Sequence, residues 1–297
     1  MSKTAPSIEL SNGQKMPAVG LGTWQSKNKE AEQAVLNAID IGYRHIDTAY
    51  IYENEKEIGR AINAKIAAGV IAREDIFVVT KLAGMHHKPK LVEAACRDSL
   101  TKLSLNYVDQ YLIHFPVGDG FVDYVDTWKA MENLVDLGLV KGIGLSNFNA
   151  KQIDRILKIC RIQPVVNQVE CHPGFNQKKL IDFCRERNIV IVAYSPLARP
   201  RPETKWPPFM YDETAQKLAQ HYSRTPAQIC LNYLLQLNVA VIPKSVKRER
   251  IEENFNCFDF RLSTNDIEIM DGYNTGERLI PFYGSRNHKF YPFHDEY

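Results

Sequence analysis

Six cysteines are scattered through 297 residues with no CxxC pair and no regular spacing. That pattern does not suggest a disulfide framework; reduced core thiols of a cytoplasmic protein are expected instead. No apolar stretch approaches the ~20 residues needed to cross a bilayer. The opening "MSKTAPSIEL" also lacks the apolar segment of a secretory signal, so a membrane partner is not expected. An excess of charge of one sign is lacking as well, with 37 Lys and Arg against 35 Asp and Glu. The formal net charge is +2, which gives no reason to expect a nucleic-acid partner and makes any basic patch a local feature. GxSxG and HExxH are both absent, which argues against an esterase-type nucleophile and a zinc hydrolase, and no metal is expected. "VGLGTW" supplies Gly20 and Gly22, but residue 25 is Gln, so GxGxxG fails and a Rossmann reading fails with it. No linker or shift of composition divides the chain, which reads as one domain, 1–297.

What is present is a regular alternation. An Asn-Gly pair between the extended runs of "SIELSNGQKMPAV" predicts an N-terminal β-hairpin. Eight short apolar runs follow: "AVGLGTW", "YRHIDTA", "DIFVVTKL", "YVDQYLIHF", "LVKGIGLSNF", "PVVNQVEC", "IVIVAYSPL" and "VAVIPKS". Each is followed by at least one helical pattern, and the seventh by two. Continuous rather than alternating apolarity is what strands buried on both faces require. Eight βα units of about 30 residues predict an α/β fold, a (β/α)8 TIM barrel with the hairpin and two extra helices added. A doubly wound open sheet is the alternative. The tail after residue 272 is aromatic and aperiodic, a loop packed over something.

In such a barrel the active site lies at the C-terminal ends of the strands. Those ends carry Asp47, Thr80-Lys81, His114, Ser146-Asn147, the stretch from Asn167 to His172, Tyr194-Ser195 and Lys244-Ser245. Each of the first few has an ordinary explanation. Asp47 could cap a turn, Lys81 could snorkel out of its strand, and His114 could be a satisfied core histidine. Together, on three successive strands and with Tyr52 five residues past Asp47, they predict a convergent group. Lys81 beside Tyr52 should depress the phenol's pKa, Asp47 should hold Lys81 charged, and a neutral His114 could orient a carbonyl. This suits protonation of a developing alkoxide in carbonyl reduction. Reduction needs a hydride source. "IPKSVKRERIEENF" clusters Lys244, Lys247 and Arg250 at a helix start, where cations are unfavourable unless an anion compensates them. A 2′-phosphate, and hence NADP rather than NAD, accounts for the excess.

These residues are similar to those of a known family. The chain resembles the aldo-keto reductases over essentially its whole length, in "GLGTW" (20–24), "GYRHIDTAYIYENEKEIG" (42–59), "VTKL" (79–82), "YLIHFP" (111–116), "GIGLSNFN" (142–149), "VNQVECHP" (166–173), "AYSPL" (193–197) and "IPKSVKRERIEENF" (242–255). The resemblance implies a catalytic tetrad of Asp47, Tyr52, Lys81 and His114, with Tyr52 as general acid and NADPH/NADP+ as cofactor. It implies that Ser146, Asn147 and Gln168 hold the nicotinamide carboxamide and that Tyr194 stacks on its ring. Ser195 and Leu197 match pyrophosphate contacts. Lys244, Ser245 and Arg250 match the 2′-phosphate clamp with Val246 and Lys247 beside them, and Glu253 and Asn254 match adenine contacts. Gly22, Thr23 and Trp24 line the same mouth. Tyr50 matches no catalytic position.

The chain departs from aldose-reductase-like members in a short loop between "HFP" and "DTW". It departs also at Ala83 and Phe115, where they carry tryptophans. The expected pocket is therefore wider, lined by Trp24, Ile51, Tyr52, His114, Phe115, Ile280, Phe282 and Tyr283, and suited to apolar or aromatic carbonyls. The short loop is similar to insect members that reduce 3-dehydroecdysone, which makes a steroid ketone a candidate. The family's members are often monomers, and a monomer is expected. Two rivals are an NADP(H)-binding sensor or structural barrel, which needs no intact tetrad, and a Schiff-base lyase using Lys81.

Overall fold

A computed structural model describes residues 4–295; the rest of the expected domain, 1–3 and 296–297, lies outside the described residues. The predicted hairpin is present as β1 (Ser7–Glu9) paired antiparallel with β2 (Lys15–Pro17). Eight parallel strands follow: β3 (Leu21–Gly22), β4 (His45–Asp47), β5 (Phe77–Leu82), β6 (Gln110–Ile113), β7 (Ile143–Ser146), β8 (Val166–Glu170), β9 (Val190–Tyr194) and β10 (Ala240–Val241). Bridges Val19↔Val241 and Gly22↔Lys244 join the first strand to the last and close the barrel. Closure brings β3 and β10 so near that a Cβ on Gly22 would lie 2.6 Å from the Ile242 carbonyl oxygen. Only glycine allows that approach.

The continuous apolar runs are buried as predicted. Every residue of β5 and of β8 is buried, including the polar Thr80, Lys81, Asn167, Gln168 and Glu170. Amphipathic helices cover the barrel. In α1 (Asn28–Ile41) the buried positions are Ala31, Ala34, Val35, Ala38 and Ile39, the i, i+3, i+4 spacing of an amphipathic helix. Some helix starts are set by side chains. Asn149 with Gln152 caps α5 (Ala150–Leu157) and Thr225 with Gln228 caps α9 (Pro226–Gln236), each a reciprocal capping box. The remaining helices are α2 (Glu55–Ala67), α3 (Pro89–Leu103), α4 (Tyr124–Asp136), α6 (Lys178–Arg185), α7 (Pro208–Tyr211), α8 (Glu213–His221), α10 (Arg248–Phe255) and α11 (Thr264–Asp271). Among the described residues there are thus three helices beyond one per strand, where two were expected. α7 spans only four residues and α11 only eight, too little periodicity to read. No helix among the described residues is long and apolar enough to cross a membrane.

Helices α2 and α3 meet backbone to backbone. A Cβ on Gly59 would lie 2.2 Å from the Leu103 carbonyl oxygen, so nothing flexible can yield. Gly59→Ala is expected to destabilise the protein by about 1–3 kcal/mol through forced separation of the two helices. The urea midpoint should fall accordingly, and an unchanged midpoint would contradict the close packing.

Candidate active site

The parallel register sets Asp47 of β4 beside Val79 of β5, two residues before Lys81. The Lys81 side chain is wholly buried, and its ammonium donates to Asp47 Oδ1 at 2.6 Å and to the Thr48 carbonyl at 2.9 Å. The Tyr52 hydroxyl lies 3.4 Å from the same nitrogen. Tyr52 comes from the 3-10 turn Tyr50–Tyr52 after β4. The His114 ring, one residue past β6, meets Tyr52 edge to face at 5.6 Å between centroids. Its Nδ1 is enclosed without a partner, which leaves Nε2 as the ring nitrogen open to the barrel mouth. Three strands and one turn thus bring the four predicted residues together, as sequence position alone suggests.

Electrostatics change one expectation. Tyr52 was expected to have a depressed pKa. Burial instead pushes its phenol well above the usual value, and the negative charge of Asp47 adds to the effect. The main reason is burial, which disfavours the charged phenolate. Tyr52 therefore stays protonated, the state a proton donor needs. Burial lowers Lys81, with Asp47 acting in the opposite direction. It also holds His114 well below the usual histidine value, with Lys81 and His87 adding to it, so the imidazole is neutral as expected.

The predicted cofactor residues surround this core. Asp47 Oδ2 accepts from Gln168 Nε2 at 2.7 Å. Ser146 Oγ donates to the Gln168 carbonyl at 2.9 Å, and Asn147 Nδ2 to the His114 carbonyl at 3.0 Å. Tyr194 donates its hydroxyl to Asn147 Oδ1 at 2.8 Å. Asn147 and Ser195 both occupy the left-handed region, φ 65° and 50°. Thr23 Oγ1 donates to the Asp47 carbonyl. At the far edge Lys244, Lys247 and Arg250 are exposed and, among the described residues, have no carboxylate partner. Lys247 precedes α10 without a side-chain cap on the helix, and Ser245 Oγ accepts from the Lys247 amide. Unpaired cations and uncapped N–H groups at one helix start fit a phosphate monoester. Val246 is half-buried and Asn254 buried. Glu253 is partly engaged, accepting from Thr225 Oγ1 at 2.6 Å.

Apolar residues rim the mouth. Trp24, Ile51, Phe282 and Tyr283 are exposed for large hydrophobics, and Leu197, Phe115 and Ile280 are half-buried. Phe115 and Phe282 pack with centroids 4.8 Å apart. Phe293, 5.8 Å from Phe115, completes that wall; sequence reading missed it, although the aromatic run "YPFHDEY" was the available signal. Trp24 carries the Arg199 guanidinium over its ring at 4.7 Å. The tail is pinned across the mouth by buried Glu170, whose two oxygens accept from the Leu279 and Ile280 amides at 2.6 and 2.9 Å. Tyr50 takes no part in the cluster, packing instead against His86 and under Lys102.

A closed barrel with an ionisable cluster at its C-terminal face and a cationic helix start beside it defines an oxidoreductase-type site. The aldo/keto reductase family model matches residues 18–275. The chain is 47% identical over 294 residues to aldo-keto reductase family 1 member A1-A of Danio rerio, covering 92% of this chain and 91% of that one. It is 43% identical to estradiol 17 beta-dehydrogenase 5 of Mus musculus over the full length of both. Among solved structures, a Bombyx mori aldo-keto reductase in complex with NADP superposes with a TM-score of 0.93 at 38% identity, covering 98% of this chain and 99% of that one. The chain belongs to the aldo-keto reductase family.

One neighbour of the site bears on acid stability. His87 is fully buried, neither ring nitrogen has a partner among the described residues, and burial lowers its pKa from 6.5 to about 4. Between those values the unfolded chain binds the extra proton and the folded one does not, so stability falls as pH drops from 6.5 through 4. The loss attributable to His87 is expected to reach up to about 3 kcal/mol. Denaturant titrations of His87→Leu across this window should show a flatter pH dependence than wild type.

Proposed function

We propose that the protein reduces aldehydes and ketones to alcohols with NADPH, Tyr52 acting as general acid, on apolar, aromatic or steroid-like carbonyls rather than polar sugars. The observation that carries this reading is the fully buried Lys81 ammonium, bonded to Asp47 and within 3.4 Å of the Tyr52 hydroxyl. NADPH, when bound, supplies the hydride. Tyr52 gives its proton to the substrate oxygen as the carbonyl carbon becomes tetrahedral, so the alcohol leaves with one hydride and one proton added. Lys81 then lies against the resulting phenolate, and its charge, balanced by Asp47 in the resting state, stabilises the anion. His114 offers Nε2–H to the same oxygen and, being neutral, does not compete as a donor of charge. Ser146, Asn147 and Gln168 would hold the nicotinamide carboxamide under Tyr194, while Lys244, Ser245 and Arg250 would hold the 2′-phosphate. The phenylalanine wall of Phe115, Phe282 and Phe293 supports the apolar substrate class, since it offers ring faces and few donors.

The reading is tested by following NADPH oxidation with a panel of aromatic, steroid, quinone and sugar carbonyls. Tyr52→Phe is expected to lower the rate by about 10²–10⁴-fold with the cofactor affinity kept; equal rates in the two proteins would sink the mechanism. Arg250→Ala removes a charged phosphate contact, and the NADPH KM should rise roughly 10–100-fold. The NADH KM should stay level, so a parallel rise in both would show that Arg250 does not read the 2′-phosphate.

A further inference from the structure

Asp47 is enclosed, 2% exposed, and each of its oxygens has one donor. Lys81 holds Oδ1 at 2.6 Å and Gln168 holds Oδ2 at 2.7 Å. The carboxylate fixes which way the Gln168 amide points, because only its NH2 can face an anion. The Gln168 Oε1 is therefore turned away from Asp47, and among the described residues no protein donor reaches it. The backbone of Gln168 is also held, its carbonyl accepting from Ser146 Oγ and from the Asn147 amide.

We propose that Gln168 is a positioning residue for proton transfer: its Nε2 fixes the Asp47 carboxylate while its Oε1 is left for the cofactor's carboxamide N–H. Seating the cofactor and setting the proton donor then become one event. The inference rests on the NADPH-dependent reading of the site, and it gives Gln168 a task beyond contact with the cofactor. Without Nε2, Asp47 Oδ2 would be buried with no donor. Lys81 would then be drawn to both carboxylate oxygens and away from the Tyr52 hydroxyl, where its contact is already long at 3.4 Å. Tyr52 would lose cationic support, and its phenolate would be harder to form.

The test reads Tyr52 directly, in protein loaded with NADP+ and holding no substrate. Tyrosines are labelled with ¹³C at Cζ, and the Tyr52 signal is identified by its disappearance in Tyr52→Phe. Gln168→Met removes both polar ends of the side chain. Gln168→Leu is a second apolar replacement and likewise offers no N–H to Asp47. In both, the Tyr52 titration is expected to move to higher pH by about one unit, a tenfold loss of phenolate at a given pH. Arg250→Ala is the comparison: NADPH affinity, read by fluorescence, should weaken while the Tyr52 titration stays at its wild-type position. Near-UV circular dichroism establishes that each variant is folded, and if Gln168→Met is not, Gln168→Leu carries the test. An unmoved Tyr52 titration in folded Gln168 variants, with only weaker NADPH binding, would overturn the proposal and leave Gln168 as a cofactor contact. Should wild type neither bind NADPH nor reduce any carbonyl, the functional reading itself falls, which is a separate outcome.

Discussion

A lysine ammonium with no accessible surface is costly unless it is paired and hydrogen-bonded, and the site depends on how that cost is met for Lys81. All three of its donors have acceptors within reach: Asp47 Oδ1, the Thr48 carbonyl and the Tyr52 hydroxyl. Two of these come from a single stretch, 47–48, at the end of one strand, and the third from the turn that follows it. The ammonium therefore needs β4 and β5 in one register; a slip of one residue would turn Lys81 to the other face of the sheet. Barrel closure and the site are consequently one constraint. The first strand meets the last at a glycine, and the same closure brings the cationic helix start of α10 to the edge of the cluster.

That arrangement resolves a conflict between two simple electrostatic arguments. A cation beside a phenol lowers its pKa, whereas burial raises it. Here burial prevails, and the charge of Asp47 acts with it. Under the proposed mechanism the resting Tyr52 is an acid rather than a phenolate, and support from Lys81 becomes decisive only once the proton has gone. The lysine would then favour the state after transfer over the state before it, which is what lowers a barrier.

Much of this was legible in the sequence because it lies in short runs with strong local signals. Continuous apolar strands ending in Asp47, Lys81 and His114 placed three of the four cluster residues, and the misfit of Lys244, Lys247 and Arg250 with a helix N-terminus indicated an anion site. What was not legible depends on tertiary contact. The short helices α7 and α11 lack periodicity. The place of Phe293 depends on where an aperiodic tail folds back, and that is decided by side chains more than a hundred residues earlier, Glu170 at Leu279 and Ile280 and Asn149 at Pro292. The sign of the shift at Tyr52 depends on burial depth, which no spacing reveals.

Glu170 shows why the tail had to be understood last. A carboxylate with no accessible surface is as costly as Lys81, yet its partners are two main-chain amides of an irregular segment, with His172 3.1 Å from Oε1. Backbone N–H groups carry no sequence signature, so nothing in "GERLIPFYG" announces that it binds a strand end. The consequence is directional. The barrel residue is fixed by its strand, so it holds the tail, and the tail in turn carries Ile280 and Phe282 to the rim, where Phe282 packs against Phe115. The ionisable cluster is thus built on strand ends, where register fixes geometry. The apolar rim is built partly on an irregular tail, held by Glu170 at Leu279 and Ile280 and by Asn149 and Gln152 at Pro292 and Phe290.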